Sequence, residues 1–120
     1  MLDPKSYQDC EAIFYGSRRR KLANNTTLWA SEDCEPEFFE ITLHSTTVFM
    51  FYRDGSFELN SGGWKTVTTK ERLNRYLPDG WRVYQLKFEW WLADVRNGWA
   101  SEVKYEFKDG MRVSADGVVS

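Results

Sequence analysis

The chain has 120 residues, the size of one compact domain, and an apolar content of 42% is enough to build a packed core. The 16 basic residues stand against 18 acidic ones for a net charge of −2, which excludes a histone-like polycation and a strongly acidic mimic of DNA. No apolar run approaches the ~20 residues of a membrane span, and the opening MLDPKSYQDC lacks the apolar centre of a signal peptide, so a soluble intracellular protein is expected.

In chain order, residues 12–15 and 26–30 read as short strands. A charge run at 18–21 lies between them and an acidic loop at 31–37 follows. Phe39, Ile41 and Leu43 then alternate with Glu40, Thr42 and His44, the pattern of a strand with one apolar and one polar face. Residues 47–53 are apolar on both faces and read as a central strand covered on both sides. Phe57 and Leu59 alternate beyond Asp54-Gly55, so residues 47–60 form a hairpin that turns at this dipeptide. Thr68 followed by Glu71 fits a capping box, and Leu73, Tyr76 and Leu77 form one apolar stripe before Pro78-Asp79-Gly80, which predicts a helix over 69–77. Residues 81–94 carry Trp81, Val83, Leu86, Phe88, Trp90 and Leu92, with a change of parity that predicts a bulge or a bend near Tyr84-Gln85. After Asn97-Gly98, Trp99, Ser101, Val103, Tyr105 and Phe107 share one face, while Glu102, Lys104, Glu106 and Lys108 share the other. The expectation is a single α+β domain spanning 1–120, a bent antiparallel sheet of about five or six strands with one short helix over about 69–77.

Little in the sequence points to catalysis. Cys10 and Cys34 form no C-x-x-C pair, and with His44 they fall short of a structural zinc set, so free thiols are expected and neither a metal nor a cofactor. No nucleophile elbow, zinc-protease, phosphate-loop or dinucleotide motif occurs, and no pair of carboxylates is singled out by spacing. A non-enzymatic protein is expected.

Two stretches are candidates for binding. Gly62, Gly63, Trp64, Lys65 and Thr69 crowd the approach to the helix, where two glycines free the backbone and free helix amides attract anions. Either Trp64 reaches outward to a partner or it folds inward as a core plug. Arg18, Arg19, Arg20 and Lys21 form a basic run, and Lys65, Lys70, Arg72 and Arg75 surround the helix against Glu71. Such charge is either a phosphate-binding surface, helped by exposed tryptophans, or a solvated face paired within the molecule.

The stretches RRRKLANNTTLW, ITLHSTTVFMFYRDGSFELNSGGWKTVTTKERLNRYLP and WRVYQ together cover roughly half the chain. In this order they resemble a family of small proteins from tailed bacteriophages, including phages of cyanobacteria and actinobacteria. The resemblance carries over no catalytic or binding residue. It implies a phage accessory protein in the host cytoplasm. Small size, absent catalytic motifs and surplus aromatics favour one that binds and modulates a host factor such as a defence or nucleic-acid-processing protein. A nucleic-acid-binding protein and a minor structural component of the virion are the other two functions considered.

Overall fold

The computed structural model describes residues 2–14, 19–32 and 35–120. Helix α1 (Tyr7–Ile13) is followed by strands β1 (Arg19–Ala23), β2 (Thr26–Ala30), β3 (Phe38–Leu43), β4 (Thr46–Tyr52) and β5 (Phe57–Leu59). Helix α2 (Val67–Tyr76) then leads into β6 (Trp81–Leu86), β7 (Glu89–Asp94), β8 (Val103–Glu106) and β9 (Met111–Val113). The strands make two antiparallel sheets, one of six in the order β1-β2-β3-β4-β5-β9 and one of three in the order β6-β7-β8. The α+β class and the six-stranded sheet match the expectation. The smaller sheet and α1 go beyond it.

Alternation along the strands sorts the large sheet into two faces. Leu28, Ile41, Phe49, Leu59 and Met111 lie opposite one another across five strands, and all are buried. The neighbouring row on the same face is Ala30, Phe39, Phe51, Phe57 and Val113. Both helices and the small sheet close over this face. Tyr7 and Phe14 set their rings 5.1 and 5.5 Å from Phe39, Trp81 meets Phe57 edge-on at 6.0 Å, and Leu73, Tyr76 and Leu77 of the α2 stripe are buried. The opposite face carries the row Trp29, Glu40, Met50, Glu58 and Arg112, all half-buried. Strand β4 is therefore internal to the sheet but covered on one face only, since Met50 and Tyr52 remain half-exposed. Its second apolar row is stabilised laterally instead, with the Arg112 guanidinium 3.7 Å over the Tyr52 ring.

Four further expectations need correction. Ala12 and Ile13 end a helix and do not start a strand, because Ser6 caps α1 by accepting from the Asp9 amide at 3.1 Å and Tyr7 and Cys10 bury one helical stripe. Tyr15 lies outside the described residues. Burial, reinforced by Asp9 and Glu11, pushes the Cys10 thiol pKa far up, so it stays protonated. Helix α2 starts two residues earlier than expected, capped by Thr66, whose hydroxyl accepts from the Thr69 amide at 3.2 Å. Glu71 makes no capping box. It takes Nε of Arg75 at 2.8 Å, one turn on, and pairs with Arg72. Burial raises the Glu71 pKa, but these guanidiniums outweigh it and hold the carboxyl below its ordinary range. The parity change after Val83 marks a chain reversal and not a bulge. Lys87 and Phe88, at φ 51° and 69°, form a two-residue turn between β6 and β7, and β8 is the third strand of that sheet. His44 sits in the β3–β4 turn at φ 57°, exposed, and belongs to neither strand face.

The hairpin of β4 and β5 does turn at Asp54-Gly55. Asp54 Oδ1 accepts from the Ser56 amide at 2.9 Å, and Gly55 is at φ 92°, with space for a Cβ blocked by the Ala115 Cβ at 2.9 Å. Gly55→Val is expected to destabilise the fold by roughly 1–3 kcal/mol, read as a lower urea midpoint at unchanged slope. The outer edge of β6 is closed by a side chain. Asn74 Nδ2 donates to the Val83 carbonyl at 2.8 Å, and its Oδ1 accepts from the Val83 amide at 2.7 Å. Asn74→Ala leaves both backbone groups unpaired and is expected to cost about 1–3 kcal/mol in the same measurement.

Candidate functional site

The segment from Ser61 to Thr69 forms one wall of an open groove of about 500 Å³. Its other wall is the turn and start of the β3–β4 hairpin, so Leu43, His44, Thr46 and Val48 face Ser61, Trp64, Thr66 and Thr68. The groove joins two stretches of sequence, LHSTTV and LNSGGWKTVTT, that are separated along the chain. Backbone geometry makes the closure possible. At Gly62 a Cβ would stand 2.2 Å from Thr46 Cγ2, so only glycine lets the loop approach β4 this closely.

The loop is fastened from beneath. Asp109, in the connection from β8 to β9, accepts from the Ser61 amide at 2.8 Å and from its hydroxyl at 2.7 Å. Asn60 Oδ1 takes the Gly62 amide at 2.6 Å, Ser61 Oγ takes the Gly63 amide at 3.2 Å, and the Trp64 amide bonds back to the Ser61 carbonyl at 3.0 Å. Held in this way, Trp64 points outward and is 66% exposed. It is not a core plug. Leu43 and Val48 supply an apolar floor, and Thr46, Ser61, Thr66 and Thr68 supply hydroxyls. Among the described residues no carboxylate, Lys or Arg lines the groove, which offers hydrogen bonds and an aromatic face. Among the described residues no cluster of His, Cys, Asp and Glu is arranged to hold a metal.

The remaining expected site residues separate. Thr69 is 2% exposed and its hydroxyl lies 3.0 Å from that of Thr66, so it serves the helix cap while lying at the edge of the groove. Lys65 turns away from the groove, its ammonium 5.9 Å from the Phe107 ring. Gly63 is open on all sides at φ 83°. Arg18 lies outside the described residues. Arg19 and Lys21 fall on the outer face of β1, where Arg19 stands 5.9 Å from the Trp29 ring, and Arg20 alternates to the opposite face. Lys21 also borders a second groove of about 390 Å³ with Arg72 and Arg75, so the structure brings the two basic clusters together. The helix arginines are already engaged there. Arg72 Nε donates to Thr26 Oγ1 at 2.9 Å and pairs with Glu71, and Arg75 is held by Glu71 and by Asp3 at 3.9 Å. The residues missed from sequence are Leu43 and Val48, which read only as strand positions, and Thr46, which read only as part of the turn before the strand, until Gly62 is seen against Thr46. Asp109→Ala is expected to leave Ser61 without its anchor. The loop would then exchange its amide protons at least tenfold faster at Gly62–Trp64, while β4 stays protected.

Neither the curated proteins nor the solved structures contain a match to this chain. A family model does match, described as Kyanoviridae Gp96 protein, over residues 4–114. That span takes in α1, α2, β1 to β9 and both walls of the groove. The chain belongs to the Kyanoviridae Gp96 protein family of phage proteins.

Proposed function

We propose that this family member is a non-enzymatic phage accessory protein that binds and modulates a host protein in the host cytoplasm, with Trp64 as its anchor. The observation that carries this reading is Trp64 itself, a large aromatic 66% exposed on a hydrogen-bonded loop at the mouth of a groove of about 500 Å³. A tryptophan on a rigid loop loses little conformational freedom on binding, and such side chains dominate the energy of protein interfaces. The hydroxyls of Thr46, Ser61, Thr66 and Thr68 can meet backbone amides and carbonyls of a partner that buries the indole. The neutral lining favours a protein over a polyanion, and Glu71 and Asp3 pair with the arginines of the other groove.

The test is affinity capture from a lysate of the bacterial host with parent and Trp64→Ala proteins, each with and without nuclease. The variant should keep its stability within about 0.5 kcal/mol, as befits an exposed side chain, and lose its captured partner by about tenfold or more. Undiminished capture by Trp64→Ala refutes the anchor. Capture that disappears on nuclease treatment refutes a protein partner in favour of nucleic acid.

A further inference from the structure

We propose that the chain pairs with a second copy of itself through the open edge of β8, joining two three-stranded sheets into one of six strands. The ladder geometry defines that edge. The Phe107 amide donates to the Trp90 carbonyl at 3.0 Å, so Phe107, Tyr105 and Val103 direct their backbone groups toward β7. The N–H and C=O groups of Lys104 and Glu106 therefore point away from the sheet. Other edges carry cover. Asn74 occupies the β6 edge at Val83, and Ser120 exchanges bonds of 2.8 and 3.0 Å with Arg112 on β9. The β1 edge receives the Leu2 amide at the Leu22 carbonyl. Among the described residues no hydrogen bond reaches the outward groups of Lys104 and Glu106, and a groove of about 560 Å³ runs beside them. An uncovered strand edge is a template for another strand.

The side chains decide which strand fits. Residues 102–108 read Glu-Val-Lys-Tyr-Glu-Phe-Lys, and reversing the order inverts every charge while keeping apolar residues in apolar places. In an antiparallel pairing centred on Tyr105, Lys104 stands opposite Glu106 of the second copy, and the two-fold axis repeats the pair. Glu102 stands opposite Lys108 of the second copy, and Val103, 50% exposed, opposite its Phe107. Outward-bonding residues must face outward-bonding residues, so the register can slip only in steps of two. A slip one way sets Lys104 against Lys104 and Glu102 against Glu106. The other way sets Glu106 against Glu106 and Lys104 against Lys108. Like charges directly opposite are unfavourable, so both neighbouring registers are rejected and the centred one is selected. An unrelated peptide would place no such symmetry on this strand. A single strand pair is a small interface, so the dimer should form in the micromolar range and weaken with salt.

This proposal is independent of the Trp64 groove. Sedimentation equilibrium at low salt, over roughly 1 µM to 1 mM, should show the mass rising to twice that of the chain. Lys104→Glu and Glu106→Lys should each weaken dimerisation by about tenfold or more, because each creates two like-charge contacts. The double variant Lys104→Glu/Glu106→Lys regenerates opposite charges and should recover the parent affinity, which a merely damaged fold would not do. A protein that stays monomeric throughout, or a dimer indifferent to the single reversals, overturns the proposal.

Discussion

The register of the six-stranded sheet is the constraint on which the rest of the molecule depends. One row of side chains, Leu28, Ile41, Phe49, Leu59 and Met111, crosses five strands on the buried face, and its mirror row, Trp29, Glu40, Met50, Glu58 and Arg112, crosses them on the outer face. A slip of one residue in any strand would turn its apolar set outward and its charged set inward. Each large side chain of the inner row contributes about 1.5–3 kcal/mol of transfer free energy, so such a slip would cost a substantial part of the stability of a domain this size. The shift between Ile41 and Thr42, where β3 steps against β4, lets the hairpin end in His44 at φ 57° without disturbing the inner row.

The groove follows from that register. Phe49 and Phe51 face inward, Val48 is the residue left without a partner at the β3–β4 irregularity, between Phe49 opposite Ile41 and Thr47 opposite Thr42, and Thr46 comes to the rim where Gly62 passes it. The chain then needs a fixed route from β5 into α2. Asp109 supplies it from a connection 48 residues further on, through two hydrogen bonds to Ser61. A charged acceptor of this kind is stronger than a neutral one and holds the loop without any apolar contribution from Trp64. The indole is thereby left for solvent, which in a domain with a covered aromatic core is a property of the site and not of the fold.

Electrostatics in this protein are largely internal. Glu71 is shared by Arg72 and Arg75, Arg96 folds back on Asp94 at 2.7 Å, and Lys5 donates to the carbonyls of Arg75 and Leu77 at the end of α2. Cations at that end also complement the helix dipole. Arg72 and Arg75 of the helix cluster thus also tie α2 to the β1–β2 hairpin and to the segment before α1.

Much of this was legible in the sequence, because it rests on local chemistry. Alternation at Phe39, Ile41 and Leu43 and at Phe57 and Leu59, the Asp54-Gly55 turn and the Leu73, Tyr76 and Leu77 stripe each depend on neighbours a few positions away, and each stands in the structure. The Gly62-Gly63-Trp64 loop drew notice for the same reason. Tertiary structure decided the rest. Helix α1 has only seven residues, too few to persist by propensity, and exists because Tyr7 and Cys10 find cover on Phe39 and its neighbours. The cap of α2 fell to Thr66 and not Thr68 because Glu71 is drawn to Arg75 and Arg72. The reversal at Lys87-Phe88 lacks a glycine, and the strain of two left-handed residues is offset only by the cross-strand pairs on either side. Sequence alone determined the buried faces of β3, β5 and α2 and the turn that carries Asp54-Gly55, since those follow from side-chain chemistry and short-range sterics. Which distant segments meet to form a groove, and which strand edge is left uncovered, was decided only when the buried rows were packed against one another.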